Sequence, residues 1–348
     1  MVNGGVPVGD ACASMGRTIT TGETAMRRRH ALALLSAPLL LPAVARAQAW
    51  APSRPVTLVV PFPPGGPTDL AARLIQSGIQ STLGQPVVVD NRPGATGAIG
   101  SRYVAQAAPD GHTLLVAASG TLTINEVVMR SAGYETERDF APITLVMSVP
   151  NMIVVHPSVP ARTVPEVVAW MKAQRGGVNY ASSGVGSSEQ LGMELFRLRT
   201  GTEATAVPYQ GGPAAMQAVI QNQAPIAMLN AATVGPQVQA GALRGIAVAG
   251  PRRMTTLPDV PTMTEQGLPQ IVSGSWTAVV APKATPDAVL DRLNEVMVAA
   301  LRAPEVQERL GRVGFTVDAS SRAELAQLIA NDLGRWREVV REANIPQN

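Results

Sequence analysis

One cysteine, Cys12, stands in 348 residues, so structural disulfides, thiolate metal sites and cysteine nucleophiles are excluded from the body of the chain. Lysine occurs twice, at Lys172 and Lys283, and after position 47 histidine occurs only at His112 and His156, too few for a histidine-based metal cluster. Of the 28 basic and 25 acidic residues, five and two precede position 48, leaving 23 of each. A nucleic-acid binder needs a cationic surplus to displace counterions, and this body has none. After position 47 no run of 18 apolar residues offers a membrane span. What is abundant is apolar residues, 46% against 15% charged, which suits a folded chain and excludes a disordered one. The length suits two domains or lobes.

Residues 26–47 (MRRRHALALLSAPLLLPAVARA) place three arginines before a short apolar stretch that ends in Ala45-Arg46-Ala47. That is the charged start, apolar middle and A-x-A cleavage signal of a secretory signal peptide. The stretch is too short to cross a bilayer, and Pro38 and Pro42 would break a buried helix. Residues 1–25 read as an upstream extension, which leaves Met1 and Met26 as alternative starts. The mature protein is expected to begin near Gln48, to be periplasmic and to be monomeric. The consecutive arginines leave general secretory and twin-arginine export both open.

The rest alternates strand and helix patterns, which predicts an α/β protein with a largely parallel sheet. A first series covers 48–148 and a second covers 149–272. The tail, 273–348, returns with a strand at 276–281 and helices at 286–300 and 322–342. The order predicts two lobes, with 273–348 rejoining the first and a ligand cleft between them. The crossing segments near 148–151 and 273–276 are the expected hinges.

Two glycine-rich turns between a strand and a helix carry the chemistry. In residues 61–69 (PFPPGGPTD), glycines allow close backbone approach, and Thr68 or Asp69 is placed to cap the helix, whose first N–H groups form an anion site. An ordinary capped turn is the competing reading. Residues 181–189 (ASSGVGSSE) offer four serine hydroxyls without a cation, and again a capping loop competes. No Gly-Lys-Ser/Thr follows, Glu189 replaces the last glycine of a dinucleotide fingerprint, and G-x-S-x-G is absent. His112, after a turn, is expected to face solvent. Arg92 reads as half of a local ion pair, Tyr209 as either cleft wall or helix entry, and Trp276 as either ligand stack or packing.

In these turns the chain resembles the tripartite tricarboxylate transporter substrate-binding proteins, or Bug-type receptors. The resemblance runs from about Trp50 to Pro346. It is carried by residues 59–69 (VVPFPPGGPTD), 84–94 (GQPVVVDNRPG), 108–115 (APDGHTLL), 179–184 (NYASSG), 207–211 (VPYQG) and 257–262 (LPDVPT), in order. It implies the periplasmic binding protein type II fold, two lobes closing on a small organic carboxylate, and delivery to the large and small permease subunits of a membrane transporter. It implies ligand contacts at Phe62, Gly65, Gly66, Thr68, Asp69 and Ser119 of the first lobe. From the second lobe it implies Ser182, Ser183, Gly186, Ser187, Ser188, Tyr209 and Asn230. Met228-Leu229-Asn230 stands where many relatives carry Phe-Asp-Asn, so that carboxylate is absent, which argues against an amino-acid ligand. Thr96 and Ala98 depart from the Gly and Asn that family members often carry in Asn-Arg-Pro-Gly-Ala-Gly-Gly-Asn.

An enzyme would need a nucleophile–base pair or a metal site, and no motif supplies one; no catalytic residue, cofactor or metal is expected. A cytoplasmic regulator would need a helix-turn-helix module and no export signal. A periplasmic sensor that docks on a two-component kinase remains the alternative to a transport receptor.

Overall fold

The computed structural model describes residues 50–345 and Gln347; the segments read as extension and export signal lie outside the described residues. Ten strands form the sheet: β1 (Val56–Val60), β2 (Val87–Asn91), β3 (Thr113–Ala118), β4 (Phe140–Val155), β5 (Val178–Ser182), β6 (Ala204–Pro208), β7 (Ile226–Asn230), β8 (Arg244–Val248), β9 (Gly274–Pro282) and β10 (Thr316–Val317). Their order is β2-β1-β3-β9-β4-β7-β5-β6, with β8 and β10 also on β4.

The parallel pairs lie at the flanks, β1 with β2 and β3, and β5 with β6 and β7. The centre is antiparallel: β4 against β7, β8, β9 and β10, and β9 against β3. The expected largely parallel sheet is therefore a mixed one. Each strand–helix–strand unit returns its strands in parallel, but β9 comes back from the second lobe and inserts between β3 and β4 in the opposite sense. Periodicity marks a strand without naming its neighbour.

β4 is a single 16-residue strand, although Pro150 reads as an interruption. Pro150 stays in the ladder opposite Gly274. Before it the strand pairs with β9; after it, from Asn151, it pairs with β7 and β8. The change of partner carries β4 from one lobe into the other. Two register shifts on β9 accommodate the bend this requires.

Alternation along each strand feeds two faces. Leu58 and Val60 join a cluster with Ile75, Leu114, Leu293 and Met297, under helices Pro67–Leu83 and Asp287–Leu301. Val59 and Leu115 point the other way, to Trp276, Leu325 and Leu333. The second lobe repeats this, with Ile153, Phe196 and Met228 on one face and Val154, Val219 and Leu229 on the other. The long helix Arg322–Glu342 lies along both lobes: Leu325 and Leu333 pack in the first, Trp336 and Val339 in the second. Among the described residues no helix is long and apolar enough to cross a membrane.

His112 corrects its expectation. It is buried beneath the Trp50 ring, in an edge-on contact at 5.8 Å, and its Nε2 accepts the Ser53 N–H at 3.2 Å. The turn that precedes it folds inward because Trp50, at the start of the described chain, covers it.

A half-buried carboxylate, Asp318, stands beside the lobe crossing. Burial pushes the Asp318 carboxyl above the usual Asp range, offset by Ser148 and the Arg252 charge. A raised native pKa means that the folded chain holds the proton more tightly, so stability from this group is present at low pH and lost as pH rises through the native value. Asp318→Asn is therefore expected to melt at a higher temperature than the parent at pH 7, with the gain shrinking toward pH 4. Paired melting curves at the two pH values check the sign.

Candidate functional site

Between the lobes lies a cavity of about 650 Å³. Phe62, Gly66, Pro67 and Thr68 line it from the first lobe, and Glu189, Gly212, Pro213, Asn230 and Thr233 from the second. The crossing segments supply Ser275, Trp276 and Phe315. Four helices begin at this wall: Pro67–Leu83, Ser188–Thr200, Gly212–Ile220 and Ala231–Gln239. β1 runs antiparallel to β5, β6 and β7, so strands of the two lobes end facing one another. The helices that follow start at the same crevice, where the positive ends of the four dipoles converge.

The four starts differ. Ser187 Oγ accepts the Gln190 N–H at 3.1 Å and Asn230 Oδ1 accepts the Ala232 N–H at 3.2 Å, so two of the helices carry their own caps. The helices at Gly66 and Gly211 have no side-chain cap, and both have proline in the first two positions. Their first-turn N–H groups have no intrahelical acceptor and are open to an anion.

The expected site residues separate accordingly. Phe62, Gly66, Thr68 and Asn230 stand on the cavity wall. Asp69 lies behind it: its Oδ2 accepts the Gly65 N–H at 3.0 Å and Arg73 Nε at 2.8 Å, and its Oδ1 accepts Asn91 Nδ2 at 3.0 Å. Chiefly the bond to Arg73 holds this carboxyl below its usual range against the opposing effect of burial. Asp69 thus shapes the first loop, and neither it nor Thr68 caps the helix. Ser119 is buried, and its Oγ accepts the Trp276 N–H at 3.4 Å. Ser182 is buried at the end of β5, and Ser183 follows it off the wall. The Gly186 N–H is taken by Gln190 Oε1 at 2.6 Å. The Ser188 hydroxyl meets Glu189 Oε2 at 3.0 Å and Ser275 Oγ at 3.1 Å. Tyr209 reaches toward Gln223 at 3.4 Å, away from the wall.

The serine loop therefore spends most of its polar groups on itself, and the Gly211–Gly212–Pro213 turn takes its place at the cavity. Trp276 lines the cavity, and its Nε1 donates to buried Asp332 at 2.8 Å on the long C-terminal helix, the packing reading. Burial raises the Asp332 carboxyl above its usual range. Arg92 makes the expected ion pair with Asp90 at 2.7 Å and stacks 3.6 Å above the Tyr103 ring, off the cavity wall. Phe315 and Thr233 escaped the sequence reading, since neither sits in a motif.

The profile of the tripartite tricarboxylate transporter family receptors matches residues 71–345. The chain belongs to that family. It is 37% identical to protein BugT of Bordetella pertussis over 292 residues, 84% of this chain and 90% of that protein. An R. palustris protein solved with adipate superposes with a TM-score of 0.70 at 33% identity, over 85% of this chain and 99% of the other. MatC of Rhodopseudomonas palustris, solved with malate, gives 0.67 at 34% identity over 83% and 99%. Proteins of this family are periplasmic solute-binding receptors, not enzymes.

Proposed function

We propose that the protein captures a small organic carboxylate in the interlobe cavity and delivers it, in the periplasm, to a tripartite tricarboxylate-type membrane transporter. The observation that carries this reading is the convergence of four helix N-termini on a cavity wall that holds no Arg, Lys or His. Each N-terminus supplies roughly 0.3–1 kcal/mol toward an anion, up to about 2 when partly buried. Hydrogen bonds to a charged group add about 1.5–3 kcal/mol each, so a few reach the roughly 8 kcal/mol of micromolar binding. The carboxylate rests on the open N–H groups after Gly66 and Gly211 and on the Thr68 hydroxyl. Calorimetric titration of the purified protein with mono-, di- and tricarboxylates tests capture, and loss of uptake of the bound acid in a strain lacking either permease subunit tests delivery.

Single substitutions grade the model. Thr68→Ala is expected to weaken binding about tenfold, equivalent to about 1.4 kcal/mol. Ser187→Ala removes a helix cap and is expected to cost about 1 kcal/mol of stability, with a smaller effect on affinity. Arg92→Ala, whose partners lie off the cavity, should leave affinity within about threefold of the parent, a free-energy change well under 1 kcal/mol. Calorimetry with parallel melting curves on the three variants checks the ranking, and an Arg92→Ala protein that no longer binds would place the anion elsewhere.

The lobes, 48–148 with 273–348 and 149–272, rotate about the crossing strands when ligand bridges them. Small-angle scattering is expected to show contraction at saturating ligand; identical profiles would exclude a closing clamp.

A further inference from the structure

The cavity wall also specifies what the rest of the ligand looks like. Aromatic residues are scarce, four Phe, four Trp and four Tyr in the whole chain, yet two of the Phe and one of the Trp, Phe62, Phe315 and Trp276, face this one cavity. They come from three separate places in the sequence, with Pro63, Pro67 and Pro213 between them on the wall. Such a surface favours a flat apolar body over a solvated chain.

The single charged residue on the wall is Glu189, and its sign is negative. It is the second residue of helix Ser188–Thr200, whose start is already capped by Ser187. The Glu189 carboxylate occupies the positive end of that dipole as a built-in anion. Its Oε2 takes the Ser188 hydroxyl, and Oε1 has no protein partner among the described residues. A carboxylate oxygen facing a cavity accepts hydrogen bonds and repels a second anion. The uncapped start at Gly211 has no acidic residue in its first turn, and at Gly66 the first-turn Asp69 is already paired with Arg73.

Resting on the carboxylate reading above, we propose that the ligand is an aromatic monocarboxylate with a hydroxyl or amino hydrogen-bond donor remote from its carboxylate, and that Glu189 accepts that donor and rejects dicarboxylates. The class differs from the adipate and malate found in the two solved relatives.

The test is calorimetry on the purified protein with benzoate, 4-hydroxybenzoate, 4-aminobenzoate, 4-hydroxybenzamide, adipate and malate. The expected result is that one or both of the donor-bearing acids bind at least tenfold tighter than benzoate, and that adipate and malate bind at least a hundredfold weaker than the better of them. The two donor-bearing acids separate hydroxyl from amine. In Glu189→Gln the affinity ratio of the better donor-bearing acid to adipate should fall at least tenfold, with the ratio unaffected by any general loss of folded protein. Adipate or malate binding the parent as tightly as the aromatic acids overturns this inference and leaves carboxylate capture standing. The benzamide binding as tightly as its acid, or no acid binding at millimolar concentration, overturns carboxylate capture and this inference together.

Discussion

Gly66→Leu is expected to abolish carboxylate binding while the protein stays folded. Gly66 is the N-cap of helix Pro67–Leu83, with extended backbone (φ −82°, ψ 173°) that any residue adopts. A Cβ built there meets no heavy atom within 4 Å, and the residue lies on the cavity wall. A leucine side chain therefore has room to fold without strain, and the room it takes is at the uncapped helix start proposed to hold the anion. The expected loss is at least a hundredfold, about 2.7 kcal/mol at 1.4 kcal/mol per decade. The neighbouring Gly65 is a poor choice for the same experiment, because its φ of +92° makes any side chain strained whatever the space. Calorimetry gives the affinity and a melting curve gives the control. A Gly66→Leu protein with parent affinity would move the anion away from this loop.

Gly274→Val is expected to cause the largest loss of stability, about 3 kcal/mol, the upper range for forcing extra atoms into a packed site. At the crossing of the lobes, a Cβ on Gly274 would lie 2.6 Å from the Val149 carbonyl oxygen and 3.0 Å from Pro150 Cα. Both are backbone atoms of β4, and neither can swing aside as a flexible side chain would. The surroundings are equally tight: the Asn151 N–H donates to the Ser273 carbonyl at 2.9 Å, Asn151 Nδ2 donates to Ser273 Oγ at 2.9 Å, and a Cβ on Gly250 would meet Pro150 Cβ at 2.9 Å. To admit valine, the two crossing strands must part where the lobes are joined. Chemical denaturation of Gly274→Val beside Gly334→Ala measures this. Gly334 lies within helix Arg322–Glu342 with open space around it, so its change to alanine should be neutral or stabilising by up to about 1 kcal/mol. Equal stability of Gly274→Val and the parent would show that the crossing can spread at no cost.

Local pattern was enough for most of the elements. The helix over Arg322–Glu342 is announced by Ser321 and Glu324, which form the capping box found in the structure, and by apolar residues at helical spacing. β1 is a β-branched run stopped by prolines and glycines, and helix Val164–Ala173 starts after Thr163, whose side chain accepts the Glu166 N–H. Where residues compete, pattern failed. Helix Ala231–Gln239 carries Gly235 and Pro236 at its centre, which read as breakers, yet packing of Ala231 and Val234 against Leu229 and Val248 holds it. Pro150 reads as an interruption of the apolar stretch 142–155, and pairing on both sides of β4 overrides it.

The amino-acid sequence by itself determined the α/β class, the glycine-rich loop at Gly65 and Gly66, and the absence of cations from both glycine-rich loops, because each of these rests on residues adjacent in the chain. Tertiary structure alone decided that the sheet is mixed, since strand direction depends on which distant strand arrives beside it. It also decided which loop lines the cavity. Ser187 caps its own helix off the wall, while Gly212 and Pro213 line it. Phe315, Trp276 and Glu189 became one wall only when three chain segments, up to 126 residues apart in sequence, met at the crossing. No local signal encodes that meeting, because a cavity wall is a property of packing between elements and not of any one of them.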